Sequence, residues 1–387
     1  MVKSTPDLRA EFLINPEIAF FNHGSFGACP RPVFEAYQQW QRELEFQPIE
    51  FLGRRYNSLM DEARQVLAGY IGAEVADLIF VPNTTVGINM VARSLTLEPG
   101  DEVLSTDHEY GAMDITWRFI CEKAGATYRT AKVPLPVSSV DDVIEAIWSQ
   151  VTPHTRVLFF SHITSPTALI FPVEELCCRA RERGIITVID GAHVPGQIPL
   201  DCPAIDADFY TGNCHKWLCA PKGAAFLHVK KAQQALVVPA VISWGCLDDA
   251  SFAKRNQWQG TRDIAAYLSI PAAIDYQQAR NWPEVRKRCH LLVKETVERI
   301  QALTGLPLLS PLSGEWVAQM ASIALPVVDK EELKAKLLDE YLIEVPIFEW
   351  NGGTNMRLSI QGYNGQDDVD RLVLALDDLL QRKNTKT

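Results

Sequence analysis

The chain has 387 residues, 47% of them hydrophobic and 22% charged, an ordinary globular composition with room for two or three domains. Its formal net charge of -11 disfavours nucleic acid and anionic lipid surfaces as partners. Nine cysteines, an odd number with no CxxC pair, fit free thiols in a reducing cytoplasm, and the eight histidines form no metal-ligand cluster, so no metal is expected.

The opening stretch MVKSTPDLRAEFL lacks the apolar core of a signal peptide, and no apolar run is long enough to span a membrane. The segment up to about residue 32, with FFNHGSFGACPRP, reads as an ordered loop rich in Gly, Asn and Pro. Amphipathic helices are predicted at 33–47 and 58–70. Apolar runs then follow at 78–81, 102–105, 157–160, 185–189, 207–210 and 224–229, with helical patterns at 85–96, 110–124, 139–149 and 173–183 between several of them. Fully apolar strands alternating with helices predict an α/β fold whose sheet is mostly parallel or mixed and covered on both faces. A helical region from about 264 to 302, interrupted near Pro283, leads into a smaller α/β part. That part has an apolar strand at 322–329 and helices at 330–340 and 366–381.

In such sheets ligands sit beyond the carboxyl ends of the strands, so the polar residues just after each apolar run are the candidates. Thr84 and Thr85 follow the first run, where a helix begins; they suit either a phosphate site or an ordinary cap. His108 and Tyr110 follow the second and suit either a flat ring or a packing role. Ser165 and Thr167 follow the third, beside a turn set by Pro166. Asp190 ends a strongly apolar strand, where a carboxylate needs a partner such as a protonated ring nitrogen, and His193 is three residues on. Lys216 stands among His215, Trp217 and Leu218, an apolar setting in which a lysine is either exposed or a nucleophile of lowered pKa. A lysine for a Schiff base, an anion for a ring nitrogen, a phosphate cradle and a stacking ring are together the requirements of pyridoxal 5′-phosphate.

On DGAH with Asp190, CHKW with Lys216, NHGSFG (22–27), TDHEYGA (106–112) and HITSPTALIFP (162–172), the chain resembles the class V, fold-type I pyridoxal-phosphate enzymes, over about residues 15–380. The isopenicillin N epimerase-like branch is the most similar, and the cysteine desulfurases are related. The resemblance implies a mostly parallel, mixed seven-stranded sheet with a smaller C-terminal α/β domain. The chain would divide into an arm (1–20), a large cofactor domain (21–275) and a small domain (276–387). It implies that Lys216 carries the cofactor and moves protons at the substrate α-carbon, and that Asp190 pairs with the ring nitrogen. His193 would contact the phenolic oxygen, and His108 would stack on the ring, with Tyr110 the competing candidate. Thr84, Thr85, Asn213 and His215 would hold the phosphate, and Ser165 would replace a cofactor-side asparagine. Thr261, in QWQGTRD, would reach the phosphate of a second subunit, implying a homodimer with shared active sites. Arg357, in NMRLSIQGYN, would bind the substrate carboxylate, with Asn22 and His23 at the substrate entrance and Arg54 and Arg55 near a second carboxylate.

The implied reaction is at an amino-acid α-carbon: epimerisation, C–S lysis of a cysteine conjugate such as hercynylcysteine sulfoxide, or transamination. In an epimerase, Tyr110 or His108 would supply the second-face acid. The stretch 343–357 contains none of the cysteine that a persulfide-forming desulfurase carries there, and Cys214 reads as packing in the lysine loop.

Overall fold

Apolar runs too short for helices set the centre of the molecule, which a computed structural model describes for residues 8–247 and 250–384. Seven strands form one sheet: β1 (Leu78–Val81), β2 (Glu102–Thr106), β3 (Thr127–Ala131), β4 (Thr155–Ser161), β5 (Ile186–Asp190), β6 (Phe209–Asn213) and β7 (Ala225–Val229). Their order is β1-β7-β6-β5-β4-β2-β3. Strand β7 runs antiparallel to both of its neighbours and the other pairings are parallel. Strands β1, β6 and β7 are buried at every residue, as expected where helices cover both faces. The exception is β3, whose TYRTA sequence alternates too weakly to stand out. It is one of the two edge strands, with only Ala131 fully buried, and lacks the apolar run by which the others were predicted.

Helices fall between the strands close to their predicted limits, at Thr84–Ser94, Gly111–Ala124, Val140–Trp148 and Val173–Glu182. The predicted break near Pro283 is a left-handed Asn281 (φ 48°) that ends one helical stretch before Trp282–Thr304 begins. Beyond that long helix lies a smaller domain with its own antiparallel sheet, β8 (Met320–Leu325), β9 (Ile347–Trp350) and β10 (Gly353–Ser359), in the order β9-β10-β8. The N-terminal segment is stitched to this domain, because Ala19–Phe20 pairs in parallel with Ile343–Glu344.

Two consequences position the site. The carboxyl ends of β1, β2, β4, β5 and β6 bring Asn83, Tyr110, Ser161, Asp190 and Asn213 to one rim. The N-terminal segment also crosses that rim. At Gly27, with φ +70°, a Cβ would sit 1.9 Å from the His215 carbonyl oxygen, so only glycine lets the two backbones meet. Among the described residues no helix is long and apolar enough to cross a membrane, and all nine cysteines are free thiols.

Candidate active site

A cavity of about 330 Å³ opens at this rim. Its walls include Thr84 and Thr85, Tyr110, Ser165, Asp190, His193, Asn213, His215, Lys216 and Arg357. Residues that are far apart in sequence and were predicted for a cofactor and its substrate thus line one space.

Lys216 is its centre. The side chain is half-buried, and Nζ lies 3.1 Å from His193 Nε2. Burial first, and then the Arg357 charge, push its pKa down to about 7, against a smaller opposing pull from Asp190. Asp190 ends β5 with one oxygen accepting from the Ala192 N–H at 2.8 Å. Burial raises its pKa, and neither that bond nor Lys216 offsets this, so the carboxylate calls for a cationic partner within the cavity. A protonated ring nitrogen is such a partner.

The opposite end suits an anion. Helix Thr84–Ser94 points its N-terminus at the cavity, and Asn83 caps it by accepting from the Val86 N–H. The Thr84 N–H is taken by Asn213 Oδ1 at 2.9 Å, while the buried Thr84 hydroxyl has no partner among the described residues. A phosphate oxygen would satisfy that hydroxyl and meet the positive end of the helix. His215 donates Nδ1–H to the Ala224 carbonyl at 3.1 Å, and its pKa is lowered to about 4, by burial and then by Lys216. An anion beside it would favour the imidazolium and turn Nε2 into a donor. The residues present therefore fit pyridoxal 5′-phosphate at both its ends.

Arg357, on β10 of the small domain, closes the third side. It is buried and donates through Nη1 to the Ser165 carbonyl and hydroxyl (2.8 and 3.2 Å) and through Nη2 to the Ser25 hydroxyl (3.1 Å). Among the described residues its Nε has no partner, and burial lowers its pKa to about 10. No carboxylate among the described residues pairs with this buried guanidinium, and a substrate carboxylate completes it. A second hollow of about 340 Å³ shares Tyr110, Ser165 and Arg357 with the first and adds Asp107, Phe348 and Trp350.

Several expectations are corrected. His108 is fully buried behind the wall, not in the cavity. Its Nδ1 meets the Thr167 hydroxyl at 2.7 Å, its Nε2 the Val133 carbonyl at 3.0 Å, and its ring packs on Phe171 and Trp350. Of the two ring candidates only Tyr110, half exposed, lines the cavity. His23 is not at an entrance either. It clamps the lysine loop, with Nε2 at 3.0 Å from the Lys216 carbonyl oxygen and Nδ1 at 3.0 Å from the Tyr363 hydroxyl. Asn22 supports rather than lines the site: it donates to Glu344 and accepts from Ser25, which in turn receives Arg357. Arg54 and Arg55 lie outside the cavity, paired with Glu50 and Glu43. Thr261 is exposed and is not on the wall of its own chain's cavity.

The structure adds Gly24, Ser25, Phe26, Asn83 and Ser161 to the wall. It also reveals Glu109, buried between the hydroxyls of Thr106 and Ser161 (both 2.5 Å), with a pKa raised to about 8 by burial. The acidic residue at an apolar strand end was the available signal for Glu109; Ser161 ends β4 and Asn83 caps a helix, while Gly24, Ser25 and Phe26 lie in a single helical turn too short for any periodicity to mark.

The two aromatic candidates separate by experiment. His108→Ala is expected to lower unfolding stability by roughly 2–4 kcal/mol, because it strands the Val133 carbonyl, leaves the Thr167 hydroxyl with Thr164 alone and empties a buried site beside Phe171 and Trp350, and to leave the absorbance of bound cofactor unchanged. Tyr110→Ala is expected to shift that absorbance at little cost in stability. Urea unfolding and visible spectra of the two variants check both.

Comparison with known proteins gives the family and the fold. Residues 27–372 match the family model described as aminotransferase class-V. The chain is 37% identical to isopenicillin N epimerase of Amycolatopsis lactamdurans, over 96% of this chain and 97% of the relative. A cysteine desulfurase from Thermococcus onnurineus superposes with a TM-score of 0.84 at 22% identity, covering 97% of this chain and 98% of that one. A variant of C-DES with glycine covalently linked to its pyridoxal-phosphate cofactor also superposes at 0.84 and 22%, covering 97% of this chain and all of that one (100%).

Proposed function

Since the chain belongs to the class-V aminotransferases, a family of pyridoxal-phosphate-dependent enzymes, we propose that it is an amino-acid epimerase that holds this cofactor on Lys216. The observation that carries the reading is that two proton-carrying groups, Lys216 and Tyr110, line one cavity together with Arg357. Full-length similarity to isopenicillin N epimerase supports it.

When bound, the cofactor withdraws electrons from the substrate α-carbon and so acidifies the α-hydrogen. Asp190 keeps the ring nitrogen protonated, which strengthens that withdrawal. Thr84, Thr85, Asn213 and His215 anchor the phosphate, and His193 meets the phenolic oxygen. Arg357 grips the substrate carboxylate in bidentate fashion and fixes the α-carbon beside Lys216. The Lys216 amine, with a pKa lowered to about 7, is matched to taking and returning a proton at neutral pH. Tyr110 supplies a proton to the other face, and the substrate side chain extends into the second hollow, along Phe348 and Trp350. Thr261, exposed and off its own cavity, serves the phosphate site of a second copy, which makes the active enzyme a homodimer, and the chain's nine free thiols suit a reducing cytoplasm.

The test is proton NMR of holoenzyme in D₂O with isopenicillin N, simple L-amino acids and a cysteine-conjugate sulfoxide. The expected result is loss of the α-proton signal together with appearance of the opposite stereoisomer. Pyruvate with a released sulfur fragment would instead make the protein a C–S lyase, and a keto acid would make it an aminotransferase.

A further inference from the structure

One buried contact at the cavity wall has no role in the chemistry above. The indole of Trp217, next to Lys216 in the chain, turns back so that its Nε1 lies 3.3 Å from His193 Nδ1. We propose that Trp217 is a positioning residue: by donating to His193 Nδ1 it fixes the imidazole as its Nε2–H tautomer and so holds the Lys216 amine neutral, ready to capture the cofactor. The inference rests on Lys216 being the cofactor lysine.

The donor rules carry the argument. An indole nitrogen only donates, so His193 Nδ1 must be bare. A neutral imidazole has one proton, which is therefore on Nε2. That nitrogen is 3.1 Å from Lys216 Nζ. An ammonium has no lone pair and would set donor against donor, whereas a neutral amine accepts the Nε2–H. The direction Trp217→His193→Lys216 is thus consistent only with an unprotonated amine.

The surroundings agree. His193 is fully buried and its pKa is well lowered, by burial, Lys216 and Arg357, which excludes the imidazolium that would donate from both nitrogens. The other charged or titratable groups facing this pair are Asp190, Arg357, His215 and His23. Of these only Asp190 favours an ammonium. Trp217 itself is held rigidly: it is fully buried, its ring lies 4.9 Å from that of His23, and its carbonyl accepts from Gln277 at 2.8 Å. Once the lysine nitrogen is covalently occupied, the same Nε2–H remains in the cavity as a donor of fixed direction.

The test uses apoprotein and added pyridoxal 5′-phosphate. The Lys216 nitrogen forms a C=N bond to the aldehyde carbon, and both amine hydrogens leave with the aldehyde oxygen as water. The rate of this condensation is followed by visible absorbance across pH. In Trp217→Phe the tautomer is released, and the midpoint of the pH–rate profile is expected to rise by about one unit, which is roughly tenfold slower capture below the midpoint. In a His193→Gln background, where an amide donates without any tautomer to set, Trp217→Phe is expected to leave the midpoint where it was. Should the indole variant fold poorly, ¹⁵N NMR of wild-type apoprotein still decides, because the inference requires the His193 proton on Nε2. Equal midpoints in wild type and Trp217→Phe, or a proton on Nδ1, would overturn it. Wild-type protein that forms no adduct at any pH would overturn the assignment of Lys216 itself, a result distinguishable from the first two.

Discussion

Lys216→Ala is expected to slow exchange of the substrate α-hydrogen by roughly 10³-fold or more, the range that a positioned general base supplies. Exchange into substrate in D₂O measures it, and a variant within tenfold of wild type would remove Lys216 from the chemistry. The fold is expected to survive and, in the apoprotein, to gain stability. Desolvation lowers the pKa of this half-buried lysine from 10.5 to about 7. Between pH 7 and 10.5 the unfolded chain therefore binds a proton that the folded chain does not, and stability rises with pH by about 1.4 kcal/mol per unit from this group. Below pH 7 both states are protonated and the full penalty of burial is present. The apo variant should therefore be more stable than apo wild type near pH 7, with the gap closing as pH approaches 10.5. Urea unfolding of both proteins across that window shows whether it does.

Asp190→Asn is expected to reduce α-hydrogen exchange by about 10²-fold or more, comparable to removing a preorganised charge from a buried reaction centre. The carboxamide keeps the local structure, because its oxygen can still accept the Ala192 N–H. It cannot carry the negative charge that keeps a ring nitrogen protonated. The variant should thus unfold at nearly the wild-type temperature and still take up cofactor, but turn over slowly. Exchange within a few-fold of wild type would show that the carboxylate is structural.

The fold was readable where burial is two-sided. LIFV, VLFF and IITVI are continuous apolar runs because both faces of their strands are covered, and each lies on a strand. Strand β3 escaped because only one of its residues is fully buried, whereas β1, the opposite edge, is buried throughout, and β9 and β10 escaped because one face of their small sheet is polar at several positions. Within the site, Asp190 and Lys216 were legible because an ionisable group in an apolar setting is costly without a purpose. The choice between His108 and Tyr110 was not legible. Both follow β2 closely, and only the turn geometry sends Tyr110 to the cavity and His108 into contact with Thr167 and Val133. Ser25 and Asn22 depended on a docking between the two ends of the chain that no local pattern records.

The division of the cavity between β-sheet rim and small domain also orders its birth on the ribosome. The groups suited to cofactor lie between Thr84 and Lys216 and are synthesised together with the seven-stranded sheet, whereas Arg357 emerges much later. A nascent chain can therefore acquire its cofactor grip before it can recognise any substrate, and bound cofactor would stabilise the half-made protein in proportion to its affinity. Cells short of vitamin B6 should then lose this protein chiefly during synthesis, as degraded partial chains, rather than accumulate it as intact apoenzyme.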